Sequence, residues 1–155
     1  MALPNDVVSL LLSDMDAVTR PPETAHDFYT LPGGALAQEG DSITFELSGG
    51  FAGAADTEVE ILLTEVGGVE QASANIFQTG VVDPSASSDW VIRGRIVRTD
   101  ADHAKCIGTL VGGGLTKIYL ATINLDLSKP LTFSIVQSGT DDLSLASAHL
   151  TYWAA

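Results

Sequence analysis

The chain has 155 residues, enough for one domain with a sizeable core and too few for two. Hydrophobic residues make up 45% and charged residues 17%, a balance that excludes wholesale disorder. Seven Lys and Arg against twenty Asp and Glu leave a formal net charge of −13, which repels a phosphate backbone and an anionic membrane surface alike, so neither nucleic acid nor a membrane is an expected partner.

Met1-Ala2-Leu3-Pro4-Asn5-Asp6 lacks the basic start and small-residue cleavage pattern of a secretion signal. From Asn5 to Val18, Val7, Leu11, Met15 and Val18 recur at helical spacing, with Asn5 or Asp6 as a cap, which predicts one short helix. The apolar stretch Val7 to Leu12 is broken by Ser9 and falls far short of the roughly 20 residues a bilayer span needs. Arg20-Pro21-Pro22-Glu23 stops the pattern, because proline removes a donor and restricts the residue before it. Residues 1–22 are therefore expected to form an N-terminal arm or helix, and residues 23–155 the body.

From His26 the period changes to two. Ile43, Phe45 and Leu47 alternate with Ser42, Thr44, Glu46 and Ser48, and Val59, Ile61 and Leu63 alternate with Glu58 and Glu60. With Gly49-Gly50 and the small residues Gly53-Ala54-Ala55 between them, these two runs are expected to pair with each other. Trp90, Ile92 and Ile96 alternate with Arg93 and Arg95. Further strand patterns cover Ala104 to Val111, Lys117 to Asn124, Leu131 to Gln137 and Leu143 to Trp153. Turn-forming clusters separate them at Asp83-Pro84-Ser85, Thr99 to Asp102, Gly112-Gly113-Gly114, Ser128-Lys129-Pro130 and Ser138-Gly139-Thr140. About eight strands and no helical pattern among them predict an all-β, antiparallel, jelly-roll-like sandwich.

Chemistry is sparse. Cys106 is the sole cysteine, so no intrachain disulfide or cysteine zinc site can form; it shares a strand face with Gly108 and Leu110 and reads as a core thiol, not as a nucleophile served by His103. No Gly-x-Ser-x-Gly frame occurs, and Gly112-Gly113-Gly114 lacks the lysine of a phosphate loop. Asp100, Asp102 and His103 crowd one turn without the full acidic loop of a calcium site, and nothing in the spacing of His26, His103 and His149 points to zinc. No catalytic residue, metal or cofactor is expected.

Two features point instead to binding. Arg93 and Arg95 put two of the seven positive charges on one strand face, either paired with glutamates of a neighbouring strand such as Glu58 and Glu60 or docking an acidic surface. Val7, Leu10, Leu11 and Leu12 make the arm apolar, suited to contacting a partner or covering a sheet edge. Trp90, Trp153, Tyr29, Tyr119 and Tyr152 are the candidates for a sugar platform, although their alternation suits a core as well.

Tyr29-Thr30-Leu31-Pro32, Leu36 leading to Gly40-Asp41-Ser42-Ile43, and Gly49-Gly50-Phe51-Ala52 before a strand closing on Leu62-Leu63 form an ordered pattern. It continues through Ser88-Asp89-Trp90-Val91-Ile92, Ile96-Val97-Arg98-Thr99, Leu131-Thr132-Phe133-Ser134-Ile135 and Leu150-Thr151-Tyr152-Trp153. The pattern resembles a β-sandwich family of bacteriophage virion proteins that includes head decoration or cement proteins and domains of tail and collar proteins. The resemblance implies a jelly-roll-like sandwich, usually trimeric, that fastens onto a capsid shell, and it implies no catalytic residues. The expectation is a capsid decoration protein on the virion surface, made in the host cytoplasm, with the major capsid protein as partner. The rival expectation is a carbohydrate-binding or host-recognition module of a tail or fibre.

Overall fold

A computed structural model describes residues 18–20, 25–51, 57–67, 71–83, 88–138 and 143–155. The period-two segments become strands, and among the described residues there is no helix. Ten strands follow one another: β1 (Val18–Arg20), β2 (His26–Leu31), β3 (Ser42–Phe51), β4 (Glu58–Glu65), β5 (Ser73–Gln78), β6 (Ser88–Arg98), β7 (His103–Gly112), β8 (Leu115–Asn124), β9 (Leu131–Ser138) and β10 (Leu143–Trp153). All pair antiparallel, in a six-stranded sheet of order β1-β10-β3-β6-β7-β8 and a four-stranded sheet of order β2-β9-β4-β5.

The topology is that of a jelly roll with an addition. The chain crosses between sheets at six of its nine strand connections, so that β1-β10-β3-β6 faces β2-β9-β4-β5, the double-sheet arrangement expected from the strand spacing. The β7–β8 hairpin then widens the first sheet beyond β6. Its turn needs Gly112, Gly113 and Gly114, all at positive φ, which explains the triple glycine.

Three expectations need correction or limits. The runs around Phe45 and Ile61 do not pair: β3 lies between β10 and β6, β4 lies between β9 and β5, and the chain between them passes from one sheet to the other. The helix expected over Asn5 to Val18 is corrected at its last residue, because Val18 opens β1, which pairs with Leu145 of β10 and ties the end of the arm into the sandwich; residues 5–17 lie outside the described residues. Val7, Leu10, Leu11 and Leu12 lie outside the described residues. In addition, β5 has no counterpart in the sequence reading. A bulge where β4 meets it leaves Ile76 and Phe77, consecutive residues, both fully buried, so the alternation that identifies a strand is broken there.

The core fills the space between the inner faces. Trp90, Phe77, Phe133, Ile61, Leu47 and Ile92 are all nearly solvent-free. Three inner-face glycines make room for rings: a Cβ on Gly49 would collide with Trp90, one on Gly94 with Phe45, and one on Gly108 with Phe77. Gly94 and Gly108 are register partners across β6 and β7, so two phenyl rings seat on one bare patch of backbone. Packing this dense makes large-to-small changes costly, about 3–5 kcal/mol for a buried Phe or Trp cut to Ala.

Two buried carboxylates secure loops. Asp41 accepts backbone N–H groups of Gln38 (2.8 Å) and Ala155 (2.9 Å), closing the 32–41 loop on the end of β10, and Arg98 donates to the carbonyl of Leu36 in the same loop. Glu65 accepts Asp126 N–H at 2.8 Å and pairs with Lys129 Nζ at 2.7 Å, holding the β8–β9 connection against β4.

Candidate functional site

The strand register lays out the outer face of the six-stranded sheet as rungs. One runs His149, Glu46, Arg93, Thr109, Ile118; the next runs Thr151, Thr44, Arg95, Ile107, Leu120; a third runs Trp153, Ser42, Val97, Lys105, Thr122. Because side chains alternate across a strand, the members of a rung share the outer face and neighbour the members beside them, with Ser42 fully covered there. Read across the sheet, the face is hydroxyl-rich over β10 and β3, cationic over β6, and apolar over β7 and β8.

The apolar end is the unusual part. Ile118 and Leu120 are 69% and 72% exposed, and Ile107 and Val111 are 52% and 56% exposed, four large aliphatic side chains on two adjacent strands. Single exposed apolar residues are ordinary, but a contiguous group marks a surface made for contact. Arg93, Arg95 and Lys105 border it.

Arg93 pairs with Glu46 at 2.5 Å, not with Glu58 or Glu60, which belong to the other sheet. This pair is exposed on both sides and worth at most about 1 kcal/mol. Arg95 spends its donors on the Ser42 hydroxyl, at 3.0 and 3.3 Å. Among the described residues neither Arg95 nor Lys105 forms an ion pair. The sequence reading therefore placed Arg93 and Arg95 on one face correctly, assigned them the wrong neighbours, and missed Ile107, Val111, Ile118 and Leu120. A signal for these was present: β7 and β8 are apolar on both faces, Cys106 and Leu110 alternating with Ile107 and Val111, Tyr119 and Ile123 with Ile118 and Leu120.

Over the middle of the face lies an open trough of about 630 Å³ lined by Thr44, Glu46, Arg93, Arg95, His149 and Thr151. Trp153, the one substantially exposed aromatic among the described residues, donates its indole N–H to Thr44 at 3.1 Å. Trp90 is in the core, and Tyr29, Tyr119 and Tyr152 are packed against it, so the five aromatics do not form a platform.

The opposite outer face has different chemistry. Strands β2, β4, β5 and β9 contain no Lys or Arg, while Asp27, Glu58 and Glu60 are carried on them. Glu58 accepts Gln78 Nε2 at 2.7 Å, Glu60 accepts Asn75 Nδ2 at 3.2 Å, and Asp27 accepts the Ser134 hydroxyl at 2.6 Å. Partial burial, and then the neighbouring Glu58, push the Glu60 carboxyl above its usual range. On the cationic sheet, β3, β6, β7, β8 and β10 hold five of the seven Lys and Arg against two acids, Glu46 and Asp89.

Cys106 and His103 do not meet: Cys106 faces the core, burial pushes its thiol up to about 12, and His103 lies on the outer face with Nδ1 2.6 Å from Asp100. Asp100 is engaged within the β6–β7 turn, where its carboxylate also accepts Asp102 N–H, and its carboxyl is held down first by His103. Among the described residues no three His, Cys, Asp or Glu side chains converge as a metal site, and His26, His103 and His149 lie on three different strands. The chain matches no protein-family model and no curated protein.

Proposed function

We propose that the chain is a virion structural protein, a capsid decoration or cement protein that binds the major capsid protein on the outside of a phage head as a homotrimer and clamps adjacent shell subunits. The observation that carries this reading is the outer face of the six-stranded sheet: a broad, open surface with four exposed aliphatic side chains bordered by arginines, on a jelly-roll sandwich. Such a surface suits a second protein better than a small molecule, because the trough over it is shallow and open. The order of motifs resembling virion β-sandwich proteins supplies the partner. Val7, Leu10, Leu11 and Leu12 supply a second contact that reaches a neighbouring subunit, and many copies on a lattice add through multivalency. The arm reaches the shell, and the sheet face joins one copy of the trimer to the next.

Co-sedimentation with undecorated capsids of the source virus tests the reading. The intact chain is expected to pellet with capsids, and a variant lacking residues 1–17, which keeps β1, is expected to fold and bind more weakly. A chain that stays in the supernatant with intact capsids sinks the proposal. One observation favours a second reading, a glycan-binding module of a tail or fibre: Trp153 stands beside a trough lined by hydroxyls, His149 and two arginines. A glycan array without a hit removes it.

A further inference from the structure

The two outer faces of the sandwich are chemically complementary. On one, Arg95 and Lys105 are without a carboxylate partner among the described residues and flank Ile107, Ile118 and Leu120. On the other, Glu58 and Glu60 are carried without any Lys or Arg on the four strands, beside the half-buried Leu62 and Val136. A molecule of net charge −13 should repel its copies, so placing three of the seven cations, Arg93, Arg95 and Lys105, on one outer face creates the surface at which repulsion turns into attraction.

We infer that copies of this chain associate head to tail, the β6–β7–β8 outer face of one copy docking on the β4–β5–β9 outer face of the next. The contact is heterologous: each copy uses two different surfaces and leaves one of each free for further copies. Three strands spaced about 4.8 Å apart, with β4 and β9 of eight residues, limit the contact to roughly 14 by 26 Å, or about 370 Å² a side, at the small, salt-sensitive end of protein interfaces. The β7–β8 hairpin packs against β5, where Phe77 meets Tyr119 of β8 edge-on at 6.1 Å between ring centres. In a closed ring every basic–apolar face is matched with an acidic one.

This deepens the proposed trimer by naming its interface, and it is testable without any capsid. Sedimentation velocity at about 20 mM and about 500 mM salt measures the association. The wild type is expected to form a species larger than one copy that weakens with salt. Arg93→Glu with Arg95→Glu, or Glu58→Lys with Glu60→Lys, is each expected to weaken it on the order of a hundredfold. Mixing the two variants is expected to restore association between unlike copies, since the all-acidic copy then meets the all-basic one at both faces, although strict alternation cannot close a ring of three. Ile118→Asp with Leu120→Asp is expected to weaken it at both salt concentrations. Far-UV circular dichroism and urea midpoints confirm that each variant is folded, and every altered side chain lies on an outer face. A monomer at all concentrations overturns the inference, as does an assembly indifferent to Glu58 and Glu60 or a mixture that fails to reassemble. A mass that stops at three copies supports both the facing pair and the trimer. One that grows without limit supports the facing pair and overturns the trimer. Head-to-tail association by a chain that ignores capsids overturns the decoration role alone.

Discussion

At the scale of single residues, the absence of a side chain is as specific as any side chain present. Gly94 and Gly108 leave the backbone of β6 and β7 bare where Phe45 and Phe77 seat, and both rings are fully buried or nearly so. Gly94→Val adds bulk where there is no room. It is expected to cost about 1–3 kcal/mol, read as a lower urea midpoint with an unchanged slope. Cys106 provides an independent readout, because its buried thiol, pushed up to about 12, reacts with iodoacetamide only when the sandwich opens. Alkylation at pH 8 should be slow in the native protein and faster in Gly94→Val; equal rates would show that Cys106 is reached by a local motion unrelated to core packing. Glycine's place within a strand pattern is visible in sequence, whereas the ring that requires it comes from a strand 49 residues away in one case and 31 in the other, so this part of the core was not legible.

At the scale of elements, the strands were legible and their neighbours were not. Alternation located β3, β4, β6, β7, β8, β9 and β10 within a few residues, because a half-buried strand writes its two faces directly into sequence. Pairing is set by the crossings between sheets, to which alternation is blind, so β3 and β4 were joined wrongly and Arg93 was given glutamates from the wrong sheet. The loops between elements carry the acid sensitivity. Burial pushes the Asp41 carboxyl up, but N–H donors from Ala155 and Gln38 and the Tyr152 side chain together hold it below its usual value; Lys129, then Asp126 N–H, do the same for Glu65. A carboxyl depressed in the folded state contributes stability that is fully present above its unfolded value and is lost as pH falls through its folded one. Stability is therefore expected to hold above about pH 5 and to decline below about pH 4. Urea titrations across that range check the sign. Asp41→Ala, which strips the Gln38 and Ala155 N–H groups of their acceptor, is expected to cost about 1–3 kcal/mol at neutral pH and to flatten the acid limb.

At the scale of the whole molecule, the decisive property is where charge sits, not how much there is. A net charge of −13 reads from composition as mutual repulsion, but its division between sheets becomes visible only once each strand is assigned to a layer. Near the isoelectric point of about 4.2 that repulsion vanishes while the exposed Ile107, Ile118 and Leu120 remain. Solubility measured against pH is expected to reach its minimum there, and Ile118→Asp with Leu120→Asp to lift the minimum; an unchanged minimum would assign it to acid unfolding instead.

The strand order also dictates a timetable. β10 sits between β1 and β3, and β9 between β2 and β4, yet these two are the last of the ten to be synthesised. During translation only β3-β6-β7-β8 and the β4–β5 pair can assemble, while β1 and β2 wait without a neighbour. The inner faces of both partial sheets stay uncovered until the final two strands slot into place beside β1 and β2, laid down a hundred residues or more earlier. Such long-range closure makes for slow folding, and a nascent chain that is open until late must be kept from its neighbours on the same polysome. Here the surplus of acidic residues acts before any native structure exists, holding unfinished chains apart until each can close its own sheets.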